Sequence, residues 1–291
     1  MSAALAPTPV TPTAEGWPTL RALAVAEARR FARHPLFLLG IAILLIPMAD
    51  SVIRQNGGGA NPMVGTLYIA FLIGVLGFVV AHRLTTSLLR SRDLALTAPV
   101  DRQYRTLALC LACLVPALAG VVVAVFMLAN AAIWPPVGDP PSASVAWFRD
   151  YPAVDVLATL VAMGPVAALG GPLLGVAVAR WAPFRGSALV GVVTLVFLTM
   201  LPSESPSPWR FLSAWPVMVN EYVKEGEGGP IVRSSFVPGV EPVWILGFLL
   251  CLCGLAAVAA LLRDPEHRRP LLGAGAGLAV GAVGCFLLAV T

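Results

Sequence analysis

The chain is 291 residues long, 58% hydrophobic and only 12% charged, with a mean hydropathy of +0.85 and a formal charge of +4. Soluble domains carry about 25% charged residues, so this composition excludes a soluble globular domain and points to an integral membrane protein. The positive balance is not a nucleic-acid footprint: the arginines sit at the ends of apolar runs and offer no basic face to a phosphate backbone, so no nucleic-acid partner is expected.

Residues 1–18 are rich in Ala, Pro and Thr and read as a disordered tail. They do not read as a secretory signal, because the first positive charge is Arg21 and no A-x-A site precedes the first apolar run. Thr19 to His34 follows the helical period, with Leu20, Leu23, Ala24 and Phe31 on one face and Arg29, Arg30 and Arg33 on another. Such a helix lies in the membrane interface, with its guanidinium groups among the headgroups. Pro35 marks the turn into the bilayer.

About 20 apolar residues are needed to cross a bilayer. On that measure the predicted spans are 36–53, 64–82, 106–133, 154–180, 185–201, 243–262 and 270–290. Between the second and third lies Arg83 to Arg105, RLTTSLLRSRDLALTAPVDRQYR, with five arginines against Asp93 and Asp101. Leu84, Leu88, Leu89 and Leu96 recur there at roughly helical spacing until Pro99, which predicts a short helical connector. If the N-terminus is cytoplasmic, the inner segments carry Arg21, Arg29, Arg30, Arg33, Arg83, Arg90, Arg92, Arg102, Arg105, Arg180, Arg185, Arg263, Arg268 and Arg269. Only Arg54, Arg149, Arg210, Lys224 and Arg233 fall outside. That bias predicts a multi-pass protein of the cell membrane with a cytoplasmic N-terminus. Trp134, Trp147, Trp209, Trp215 and Trp244 flank outer span ends and Trp17 and Trp181 inner ones, as an aromatic belt requires.

The fourth span contains Gly164-Pro165 and Gly170-Gly171-Pro172, so a kink is expected where proline removes a backbone bond. Gly171 and Gly175 have the G-x-x-x-G spacing that lets helices approach closely, and Gly273, Gly277 and Gly281 repeat it in the last span. The outer segment 202–242 holds Trp209 to Lys224, WRFLSAWPVMVNEYVK, apolar enough to lie on or dip into the outer leaflet, with Pro216 interrupting it. Trp209, Trp215 and Pro216 are candidates for an outer gate; a solvated connector is the equal alternative.

The chemistry of an enzyme is not visible. There is no P-loop, and the only lysine, Lys224, is on the outer side. No span carries an acid, lysine or arginine near its centre, which counts against an ion-coupled carrier. His34, His82 and His267 are far apart and form no ligand pair, so no metal site is expected. Cys110, Cys113, Cys251, Cys253 and Cys285 all lie inside apolar runs, where small packing residues are the better reading than a disulfide or redox motif.

The order of elements resembles the type-2 ATP-binding-cassette exporter permease family. The resemblance is carried by Leu23 to Phe37, LAVAEARRFARHPLF, like that family's interfacial elbow helix, and by Asp93 to Arg105, DLALTAPVDRQYR, like its cytoplasmic loop. Pro208 to Asn220 and Leu249 to Pro270 add to it. It covers roughly residues 19–270, and each motif is degenerate.

The resemblance implies an all-α integral membrane protein with a six-span permease core and an interfacial elbow at 19–35, to which the count of apolar runs adds a seventh, C-terminal span. It implies pairing with a second permease copy, in a homo- or heterodimer, and with a cytoplasmic ATPase subunit. No cofactor would sit in this chain; ATP and magnesium would sit on the ATPase. Coupling would fall to Arg90, Arg92, Asp93, Pro99 and Arg102 of the loop and to Glu27, Arg29 and Arg30 of the elbow, unless these residues only set topology. Two departures stand out. Ser91-Arg92-Asp93 replaces a glutamate-glycine pair common in the family's loop, and seven spans exceed its six, so either 270–290 is an added helix or one span is a re-entrant pair. A non-transporting scaffold or sensor subunit and an ion-coupled carrier are the rival functions.

Overall fold

Inside a bilayer every backbone N–H and C=O must find a partner within the protein, and a helix lets one apolar run do so by itself. The chain meets that demand as an α-helical membrane protein. The structure, a computed structural model, describes residues 16–53, 69–90, 102–133, 152–200, 218–226, 229–236, 240–264 and 268–290. In order these hold α1 (Gly16–Ala32), α2 (Pro35–Ile53) and a π-helical segment π1 (Ile69–Val75) that runs into α3 (Leu76–Arg90). Next come α4 (Arg102–Ala112), α5 (Leu114–Ile133), α6 (Ala153–Val161), a second π-helical segment π2 (Ala162–Val166), α7 (Ala167–Trp181) and α8 (Ser187–Met200). A hairpin of β1 (Met218–Gly226) and β2 (Gly229–Phe236) precedes α9 (Pro242–Leu261) and α10 (Arg268–Val290).

Five helical stretches are long and apolar enough to cross a membrane: Ile69–Leu89, Arg102–Asn130, Ala153–Trp181, Pro242–Leu261 and Arg268–Ala289. α1 and α2 together pass the same test as a pair bent by 57°, which makes six. The 14 residues of α8 reach about 21 Å, short of a hydrocarbon core of about 30 Å.

The elbow forms where expected but starts earlier, so residues 16–18 belong to α1 and not to a tail. At the bend the Leu36 N–H donates to His34 Nδ1 at 3.3 Å, capping α2 with a side chain. Phe31 and Phe37 meet edge to face at 5.3 Å across the same corner and set its angle. α3 differs from expectation. The second span and the start of the arginine connector are one continuous helix to Arg90. The reason is a shared face: Leu84 is buried and Leu88 packs on the core, while Arg83 points outward. Leu96 and Pro99 lie outside the described residues.

The helix-packing glycines draw α3 and α7 together. A Cβ on Gly171 would run into the Gly74 carbonyl, one on Gly175 into the Phe78 carbonyl, and one on Gly77 would come 2.7 Å from the Pro172 ring. In the last span the expected stripe is divided. Gly281 faces Cys251 at 3.3 Å, but Gly273 and Gly277 meet nothing within 4 Å. The working contacts come instead from α9, where Gly247 faces Cys285 and Gly254 faces Leu278.

At the arginine-rich end, α7 and α9 clasp each other. The last carbonyls of a helix have no partner in their own helix. Here Ala259 O accepts from Trp181 Nε1 at 2.7 Å and Ala260 O from Arg180 Nε at 3.3 Å, while Arg180 O accepts from Arg263 Nη1. Arg263 also lies 5.9 Å from the centre of the Trp181 ring. Within the clasp, Arg180 Nη2 is 2.6 Å from Asp264 Oδ2, with both side chains over nine-tenths buried, and the Thr106 hydroxyl reaches the same carboxylate oxygen at 3.5 Å.

The segment between α8 and α9 supplies the one departure from helix among the described residues. β1 and β2 pair antiparallel from Met218↔Phe236 to Gly226↔Gly229, with an irregularity between Tyr222 and Lys224. Met218 to Lys224, expected to lie along the leaflet, is therefore strand. Hydrogen bonding to a second strand pairs the backbone groups on its inner edge, where an apolar segment lying on lipid would have had to pair them by coiling. Trp209, Trp215 and Pro216 lie outside the described residues.

Candidate functional site

The expected kink at Pro165 takes the form of a wide turn. Proline cannot donate a backbone bond, and around it Ala167 N–H reaches back to Ala162 O, five residues away, which is the π pattern. Val166 O, at the end of this turn, accepts from the Cys253 thiol at 3.8 Å. Gly120 of α5 fits over the turn, since a Cβ there would stand 3.1 Å from Pro165. π1 repeats the device in the second span, seven residues long, with Gly40 of α2 pressed against Leu72 O. Single π turns inside helices are uncommon and recur at functional sites.

Both π segments open onto one cavity of about 500 Å³. Ala70, Phe71, Gly74 and Val75 of π1 and Ala162, Met163 and Val166 of π2 form one wall; α7 supplies Gly170, Gly171 and Leu174, α9 supplies Leu249, Cys253 and Ala256, and α8 supplies Leu195 and Thr199. Only Cys253 and Thr199 bring side-chain atoms that hydrogen-bond, and both are engaged: Cys253 with Val166 O, Thr199 with Val196 O at 3.0 Å. The lining has no ionisable group besides that thiol. A cavity of this size lies in the range that encloses a small molecule, and its walls can reward only apolar surface. Neither π segment was visible in the sequence as such. The one signal was Gly164-Pro165, read as a kink; nothing in the second span pointed to π1.

The residues singled out for coupling fall in two groups. In the elbow, Glu27 is buried and pairs with Arg30 at 2.8 Å, and Arg30 Nη2 in turn comes 3.5 Å from Ser87 Oγ on α3. Arg29 is exposed. At the other end of α1, a Cβ on Gly16 would strike the Tyr104 hydroxyl of α4. The elbow thus touches both helices that bound the arginine connector. Of the connector's own residues, Arg90 ends α3 and Arg102 opens α4 with its side chain exposed; Arg92, Asp93 and Pro99 lie outside the described residues. Sequence reading missed the Arg180–Asp264 pair. Its only signal was Asp264, one of two acids within the basic run Arg263 to Arg269.

Burial, with the Arg83 guanidinium nearby as the lesser cause, holds the His34 imidazole below its usual range. Among the described residues no three His, Cys, Asp or Glu side chains come together. Compared with known proteins, the chain matches no family model, no curated protein and no solved structure.

Proposed function

We propose that the chain is the transmembrane permease subunit of an ATP-driven exporter that moves a hydrophobic or amphipathic molecule. The observation that carries the reading is the apolar cavity of about 500 Å³ lined by two π turns: a membrane-embedded compartment that selects by apolar contact and is bounded by the helix geometry most open to rearrangement. In this reading the bent α1–α2 pair and the short α8 each contribute, giving seven spans with α10 appended to a six-span core. The N-terminus is cytoplasmic and two permease copies meet around the substrate.

The engine is a separate cytoplasmic ATPase. Support for its docking point comes from the elbow, which bridges α3 and α4 through Arg30–Ser87 and Gly16–Tyr104. A push on the arginine connector would be felt by both spans and by α1 together. Arg90, Arg92, Asp93, Pro99 and Arg102 take the contact in the loop, and Glu27, Arg29 and Arg30 take it in the elbow. Outward direction is the resemblance's contribution.

Two measurements test this. Purification in mild detergent is expected to retain an ATPase chain, and Arg90→Glu with Arg92→Glu is expected to lose that chain and export together while membrane insertion persists. Ala70→Trp, which fills the cavity, is expected to stop export and keep the ATPase. Export that survives ATP depletion but fails without an ion gradient would replace the engine with an ion-coupled carrier. A complex that binds a partner through 202–242 and transports nothing would make the chain a scaffold.

A further inference from the structure

A second cavity, of about 440 Å³, lies at the arginine-rich end between α3 and the α7–α8 turn. Its chemistry is the opposite of the first. His82, Arg83 and Thr86 of α3 face Phe184, Arg185 and Gly186 of the turn. Arg83 and Arg185 are both exposed, and no acidic side chain lines the cavity. Among the described residues neither guanidinium has a hydrogen bond or ion pair to a protein group. Two unneutralised arginines converging on one hollow repel each other and favour an anion between them.

The hollow is also held in shape before anything binds. Ser187 donates its hydroxyl to Phe184 O at 3.0 Å, so its oxygen accepts from His82 Nε2 at 2.8 Å, tying the turn to α3. Gly186 has φ +96°, the left-handed conformation that lets the chain reverse there. Behind it α8 begins at Ser187 and runs for 14 residues, so the positive end of a helix adds to the two guanidiniums. Apolar surface borders the charged centre: Phe184 is 57% exposed. A phosphate group with acyl chains attached meets all three features at once, since its charge enters the hollow and its chains lie along Phe184 and the outer faces of the helices. Basic pockets between spans at the membrane surface hold phospholipid headgroups for these reasons.

We propose that this cavity binds the phosphate headgroup of an anionic phospholipid, with Arg83 and Arg185 as its two phosphate ligands and His82–Ser187 as the brace that positions the turn. The site is independent of the exporter reading.

The test uses the full chain in mixed micelles of detergent with phosphatidylglycerol or with phosphatidylcholine, and inorganic phosphate as a third arm. Melting temperature and lipid adducts by native mass spectrometry are read together. Phosphatidylglycerol is expected to raise the melting temperature and to remain as one tight adduct; phosphatidylcholine and inorganic phosphate are expected to do neither. Affinity is expected to fall about five-fold in Arg83→Gln or Arg185→Gln and roughly thirty-fold in the double variant. The control Arg268→Gln with Arg269→Gln, which removes the same charge from the start of α10, is expected to keep the adduct. Equal loss in that control would reduce the effect to surface potential and overturn the site. A wild-type protein that does not distinguish the two lipids would overturn it even if the double variant failed to fold. Stabilisation by inorganic phosphate equal to that by phosphatidylglycerol would overturn the lipid assignment.

Discussion

At the scale of single residues, buried charge and the elbow histidine make the sharpest statements. Removing one member of a buried ion pair leaves the other without compensation and costs about 3–5 kcal/mol, whereas replacing both with apolar groups is often close to neutral. Asp264→Ala is therefore expected to lower the melting temperature in detergent markedly, and Arg180→Met with Asp264→Leu to recover most of the loss. Equal damage from the single and double variants would mean that the hydrogen bonds around the pair, not the charge, hold the clasp. His34 provides a pH test. Its imidazole is held below the usual value by burial and by Arg83, so the folded protein favours the neutral form. The unfolded chain takes up a proton first, near pH 6.5. The His34 contribution to stability is thus complete above that pH and lost as pH falls below it. Protonation would also cost the Nδ1 acceptor that caps α2. His34→Asn keeps an acceptor at the cap and is expected to flatten the acid side of the stability profile relative to wild type.

Elements are distinguished by what covers them. In the α6–α7 span 50% of the apolar stretch is buried inside the protein and in the α10 span only 6%, so the same substitution has opposite outcomes in the two. Gly175→Ala drives a methyl into the Phe78 carbonyl, and overpacking of that kind costs about 1–3 kcal/mol. Gly273→Ala meets open space and is expected to be neutral or slightly stabilising. Thermal unfolding of the two variants side by side checks the contrast. A destabilised Gly273→Ala would indicate a helix packed against that face in the membrane.

For the whole molecule, the extent of what could be read from residues follows from which forces act locally. The positions of the helices were legible because apolar run length decides them: α2, α8, α9 and α10 begin and end close to expected spans, as do the composite stretches α4–α5 and α6–α7. The end of α3 was not, because Arg83 and Arg90 looked like the start of a loop while Leu84 and Leu88 quietly continued the buried face. Gly171 and Gly175 announced a close approach, but their partners, Gly74 and Phe78, lie some hundred residues away and follow from topology alone. The hairpin was missed although Gly226, Gly228 and Gly229 cluster at the junction of its two strands, a turn-like composition; the apolar stretch before it outweighed that signal. Both cavities are tertiary, the apolar one assembled from five elements and the basic one from α3, the α7–α8 turn and the start of α8, and nothing in one stretch of sequence encodes them.

The wide turn at Ala162–Val166 has one further consequence. A helix that closes a ring over five residues instead of four has taken in one residue more than it needs. Deleting Ala162 should let α6 and α7 join as a single helix, kinked at Pro165, whose flanking faces stay in phase, whereas the same deletion at Val176, where no slack is stored, would rotate everything beyond it by about 100°. The chain can be shortened by one at that spot and still assemble, and what it would forfeit is the shape of the wall beside Met163.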